Sequence, residues 1–231
     1  MKTIIAGGNA ATGSTGSRRS GLRRVLLICG ILSSLVYVVY NIVGPMQWEH
    51  YNFASQSVSE LASTGAPSRP LVIPIGIVYQ ILATAFGVGV WMSADRNRRL
   101  QISAAMVVIY GLIGLSAPFF PMQPPGSGAT FSGTMHLIMT LLTVLLMFAA
   151  IGFGATALGK RFRVYSIVTV VLLLEFGALG ATQAPRVDAG LPTPWLGIVE
   201  RINIGVFLLW VIVLAVALLR RQADSVRPKS R

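Results

Sequence analysis

Five side chains in this sequence have the types and positions to do chemistry: Glu60, His136, Glu175, Glu200 and Arg201. A histidine within reach of a carboxylate makes a general acid–base pair. A guanidinium beside carboxylates makes a site that orients a polar or charged ligand. Glu175 stands about eleven residues into the apolar run from Val164 to Gln183. An ionised carboxylate at that depth costs at least a few kcal/mol, so it must be protonated, paired or turned to a water-filled cavity. His136 opens another apolar run, and Glu200 and Arg201 open the last. Neighbouring helical residues point about 100° apart, so Glu200 and Arg201 cannot face one partner equally.

Each residue also has a plainer explanation. Ser57 and Glu60 have capping-box spacing, with the hydroxyl accepting from the third amide and the carboxylate returning to the cap amide. A short surface helix from about Val58 to Thr64, stopped by Gly65 and Pro67, would account for both. Glu175 would serve equally as a hydrogen-bonded clamp between helices, and His136 as an interfacial histidine. Cys29 is a small packing residue. With two histidines, one cysteine and no HExxH, the chain offers no metal site, and no cofactor is expected. It has no GxSxG elbow, no Gly-rich phosphate loop after a strand, and no triad spacing around His136.

The elements that must position these groups follow from composition. Of 231 residues, 54% are apolar and 11% charged, with mean hydropathy +0.70. That charge fraction is less than half the norm for a soluble domain. Six apolar runs each approach the roughly 20 residues needed to cross a bilayer: about 25–43, 71–93, 101–120, 135–158, 164–183 and 196–219. None alternates with period two, which excludes a barrel, and backbone in lipid must bond to itself, which leaves helices. The fold class is therefore all-α, a polytopic bundle of six transmembrane helices.

The net charge of +12 belongs to the topology. Sixteen of the 19 basic residues fall in the amino-terminal tail, the second and fourth connections, and the carboxy-terminal tail. The opposite side holds only Arg69, Arg186 and Arg201. Positive charge stays inside, so both termini are expected in the cytoplasm, in the plasma membrane of a prokaryote. The basic clusters attract anionic membrane lipids. They are split among four short segments without aromatic interleaving, which argues against nucleic acid. Residues 1–24 read as a disordered basic tail, 25–219 as the six-helix domain and 220–231 as a second basic tail; the first span, ending at Gly44-Pro45 without an Ala-x-Ala site, reads as an uncleaved anchor.

Helices in lipid approach closely through small residues. Ala83 and Gly87, Ala150 and Gly154, Ala155 and Gly159, and Gly177 and Ala181 each lie four apart. The two halves of three spans show no convincing internal similarity.

Several of these pieces together resemble a family of six-helix prokaryotic membrane proteins known as domain-of-unknown-function family 998. The likeness covers about Leu26 to Leu219 and rests on Ser59-Glu60-Leu61 followed by Gly65-Ala66-Pro67, Phe120-Pro121, His136, and Glu200-Arg201 leading to Trp210. Where such proteins carry an acidic residue soon after the Phe-Pro, Met122-Gln123 stands here. The resemblance implies the six-span fold and a shared motif at the outer face, and it implies no activity.

The expectation is thus a membrane protein that binds or moves a small or lipidic ligand through an outward-facing polar pocket of Glu60, His136, Glu175, Glu200 and Arg201. Two alternatives stand beside it: an intramembrane hydrolase using a His/Glu acid–base pair, and a structural or sensing subunit acting through a partner.

Overall fold

A computed structural model describes residues 10–226, and their side chains from 18 to 224. The elements are α1 (Ala10–Met46), α2 (Arg69–Ser93), α3 (Arg98–Gly114), α4 (Phe131–Gly154), α5 (Lys160–Ala181), the short α6 (Ala184–Asp188) and α7 (Leu196–Val226), with 3-10 turns at Ser59–Ala62 and Ala117–Phe119. Six of the helices are long and apolar enough to cross a membrane: α1 to α5 and α7. The protein is a multi-pass, all-helical membrane protein.

Local chemistry sets the ends. Asn97 accepts from Leu100 N at 3.2 Å and starts α3, and Thr130 accepts from Gly133 N at 3.0 Å and starts α4. Pro70 sits in the first turn of α2, where its missing N–H has no helical partner to lose. Gly159, at φ +94°, makes the turn into α5.

Four boundaries differ from expectation. The chain is helical from Ala10 rather than disordered through residue 24: the membrane span supplies the costly nucleus, and the helix extends from it through a stretch rich in glycine, serine and threonine. The same argument carries α7 to Val226, into the expected second tail; residues 1–9 and 227–231 lie outside those described. α4 stops at Gly154, four residues early, so Ala155 and Gly159 do not share a helical face. The connection after α1 forms a four-residue 3-10 turn in place of a helix to Thr64.

The helices neighbour one another in the order α5, α7, α1, α2, α3, α4, and the ring closes through a sparse contact between α4 and α5. The principal core lies toward the end bearing the Arg98, Arg161 and Arg220 segments, where all six spans meet around Trp210. That indole is fully buried, and its N–H donates to Ser166 Oγ of α5 at 3.0 Å. A buried indole needs such an acceptor. Phe207 and Phe162 flank it, with centroids 6.4 and 6.1 Å away. Gly154 lets α4 approach: a Cβ there would stand 2.9 Å from Ser103 Oγ and 3.0 Å from the Trp210 ring. Ser103 Oγ in turn donates to Ala150 O at 2.7 Å, tying α3 to α4. Ala83 and Gly87 do the same service between α2 and α3, where Gly87 lies against Val108. A smaller cluster of Tyr40, Val58, Leu61 and Val72 occupies the other, loop-rich end.

Gly154→Val is expected to lower the unfolding midpoint of the detergent-solubilised protein by the equivalent of about 1–3 kcal/mol through overpacking. Gly152→Val, on the same helix with nothing within 4 Å of the added carbon, is expected to stay within about 0.5 kcal/mol of wild type. Equal losses at both positions would assign the effect to helix propensity and not to the Trp210 contact.

Candidate functional site

The connection between α1 and α2 builds its own shape first. Asn52 Oδ1 accepts from Ala54 N and Ser55 N at 3.0 and 3.2 Å, a turn that asparagine makes locally. The capping box then forms in both directions: Glu60 N donates to Ser57 Oγ at 3.2 Å, and Ser57 N to Glu60 Oε1 at 2.8 Å. The second Glu60 oxygen takes Gln56 Nε2 at 2.9 Å. Glu60 is only 5% exposed, and each of its oxygens is held by a loop donor.

The first turn of α7 fastens this loop. Glu200 Oε2 accepts from Val58 N at 2.8 Å, at the head of the 3-10 turn. The Arg201 guanidinium donates through Nη1 to the carbonyls of Phe53 (3.0 Å), Gln56 (3.1 Å) and Gly197 (3.0 Å), and through Nη2 to the Tyr51 hydroxyl at 2.6 Å. Its carbon lies 3.8 Å from the Phe53 ring centroid, a cation–π contact. Tyr51 passes its own proton to Ser57 O at 2.7 Å. Burial pushes the Tyr51 phenol up to about 12 against the pull of Arg201, so it stays a neutral donor at ordinary pH. Gly197 makes the approach possible: a Cβ there would stand 2.4 Å from both Phe53 O and Gln56 O, and backbone cannot give way.

Two further basic and hydroxyl groups join the loops. Arg69 donates to Ala62 O and, at 3.0 Å, to Pro118 O. Thr193 Oγ1 donates to Ser55 O at 2.9 Å, and Thr64 N to Met122 O at 3.0 Å. The three loops at this end form one hydrogen-bonded layer.

The layer separates two spaces. Beneath it, within the bundle, a cavity of about 170 Å³ is bordered by Tyr37, Tyr40, Ser59, Tyr79, Gln80 and His136, with aliphatic walls from α2. Tyr37 stacks on Tyr40 with centroids 5.4 Å apart, and Tyr79 shares a 2.7 Å hydrogen bond with Tyr110. His136 Nδ1 lies 3.2 Å from Phe120 O. A carbonyl only accepts, so that bond places the proton on Nδ1 and leaves Nε2 of the neutral ring as an acceptor. Gln80 Oε1 is buried without a partner, and Gly114 leaves the room its amide occupies. Above the layer, a vestibule of about 350 Å³ opens between the loops, bordered by Gln56, Glu60, Pro125 and the segment 190–194.

Glu60, Glu200 and Arg201 therefore come together on one loop, and His136 borders the cavity on the other side of it. Glu175 joins neither space. The buried stripe of α5 is Phe162, Ser166, Thr169 and Leu173, and a residue two places beyond Leu173 is turned about 200° from it. Glu175 is exposed on the outer face of the bundle. Among the described residues no three His, Cys, Asp or Glu side chains are grouped to hold a metal.

The tyrosines, Gln80 and Arg69 escaped sequence reasoning. Their signal was polarity inside apolar runs: Tyr37 and Tyr40 three apart, and Tyr79-Gln80 adjacent.

Arg201→Lys keeps the charge and loses the fork. Amide exchange in the segment 51–60 is expected to quicken at least about tenfold, the equivalent of 1.4 kcal/mol, while α3 is unchanged. Unaltered exchange would mean that the guanidinium does not hold the loop.

No match was found among curated proteins or among solved structures. The family model described as "Protein of unknown function (DUF998)" matches residues 4–217, nearly the full chain. This chain, with its six-span bundle, belongs to that family.

Proposed function

We propose that this protein binds, and in doing so moves or sequesters, a small or lipidic ligand in the cavity beneath the loop layer. The observation that carries the reading is the composition of that cavity. It pairs aromatic and aliphatic walls with two polar side chains: Gln80, whose buried Oε1 has no donor, and His136, bonded only through Nδ1. A buried amide oxygen without a donor costs about 1–3 kcal/mol, which a ligand donor reaching it by a turn of the Gln80 amide would relieve. Small-molecule sites combine apolar lining with a few such polar points. Glu60, Glu200 and Arg201 serve the site by holding its roof.

By the positive-inside rule the basic connections face the cytoplasm of a prokaryotic cell, and the loop layer and cavity mouth face outward. The hydrolase alternative ranks lower. It needs a carboxylate to orient His136, but His136 Nδ1 is engaged by a backbone carbonyl, and the Glu60 and Glu200 oxygens take loop amides.

Gly76→Leu tests the reading. A Cβ at Gly76 meets only Tyr40, at an ordinary 3.7 Å, so the longer side chain fills the cavity without overpacking the helices. Native mass spectrometry of protein extracted with its own lipids is expected to show a bound molecule in wild type and in Gly152→Val, and none in Gly76→Leu of equal unfolding temperature. Retention by Gly76→Leu, or no adduct in wild type, would remove the cavity as the binding site.

A further inference from the structure

The vestibule above the loop layer has a chemistry of its own, separate from the cavity below. Its floor holds Glu60, a carboxylate almost wholly removed from solvent. Each Glu60 oxygen receives a single loop donor, whereas a carboxylate accepts about four hydrogen bonds in all. No basic side chain lines the space itself; Arg186, outside it, is tied down through Nε to Pro192 O of the rim at 2.7 Å. Arg201 donates to carbonyls and a phenol of the loop, not to Glu60.

The rim is poor in donors. Pro125, Pro192 and Pro194 have no N–H to offer. The Gly190 and Leu191 amides donate back to Val187 O and Arg186 O, Thr193 Oγ1 donates to Ser55 O, and Gln56 Nε2 is taken by Glu60 itself. What is left facing the vestibule is a buried carboxylate and the Ser55 hydroxyl beneath a collar that is otherwise apolar. An anion would be repelled there and a neutral donor only weakly held. A cation that carries several N–H donors and an apolar body fits both parts.

We propose that the vestibule is a binding site for a small primary ammonium compound, with Glu60 as its counter-ion and the prolines and Leu191 around its hydrocarbon portion. The site is distinct from the cavity beneath the loop, so either can fail without the other. The capping hydrogen bonds hold the Glu60 side chain in place at the floor of the vestibule.

The test uses the full chain in lipid nanodiscs and saturation-transfer NMR with n-butylammonium, which reads weak binding directly. Butyrate and n-butanol serve as controls of equal length, and calcium as an inorganic competitor. Saturable transfer to n-butylammonium, absent for butyrate, is expected. Glu60→Gln is expected to weaken it at least about tenfold. Because Glu60 also caps the 3-10 turn, a second variant leaves the cap alone. Leu191→Lys, at an exposed rim position, brings a tethered ammonium to the same carboxylate and is expected to abolish n-butylammonium transfer at an unchanged unfolding temperature. Equal transfer to butyrate or n-butanol and to n-butylammonium, full binding by Leu191→Lys, or loss of the n-butylammonium signal on adding calcium at a much lower concentration would each overturn the proposal.

Discussion

One guanidinium organises the loop-rich end of this bundle. Peptide groups close to a hydrocarbon layer have little water to turn to, and each unpaired one costs free energy comparable to a lost hydrogen bond. The connection between α1 and α2 places several carbonyls at that border. Arg201 collects two of them, together with a phenol of the same loop and the Gly197 carbonyl of its own helix, from a single position near the start of α7. Its neighbour Glu200 takes the opposite polarity, an amide. The adjacency of the two charges is useful for that reason: residues about 100° apart on a helix reach different parts of one loop. Gly197, one turn earlier, supplies the missing volume. The cavity below and the vestibule above exist because this loop is held as a partition between them.

The two ends of the bundle are stabilised differently. Toward the basic connections, all six spans share a core centred on a buried tryptophan, and close approach depends on glycine and serine. Helices in lipid gain little from burying apolar surface against one another, so such contacts carry the association. Toward the loops, four residues make up the buried cluster and hydrogen bonds do more of the work. Rings run between the two regions: Tyr40, Tyr37, Tyr79, Tyr110, Phe207 and Trp210 touch in sequence.

The six spans and the capping box were legible in the sequence because each rests on local chemistry, either apolar length or the spacing of Ser57 and Glu60. Glu200 and Arg201 were legible as a functional pair, but not what they grip, since their partners lie some 145 positions away in the chain. The facing of Glu175 could not be read. α5 is apolar on every side, and only the packing of Phe162, Ser166, Thr169 and Leu173 against neighbours decides which side is inside. The tyrosines were overlooked for a related reason: an aromatic ring in an apolar run reads as lipid-compatible until a second ring is seen against it. Helix ends were misjudged where the chain leaves the membrane, because a helix begun in lipid continues into water as long as its residues permit.

The outward position of Glu175 has a consequence for the bilayer itself. A carboxyl group deep among acyl chains is relieved by neutralisation or by water and headgroups drawn down to it, with local thinning of the leaflet. Lipid packed against that face of α5 would therefore meet a polar group where the rest of the span offers only hydrocarbon.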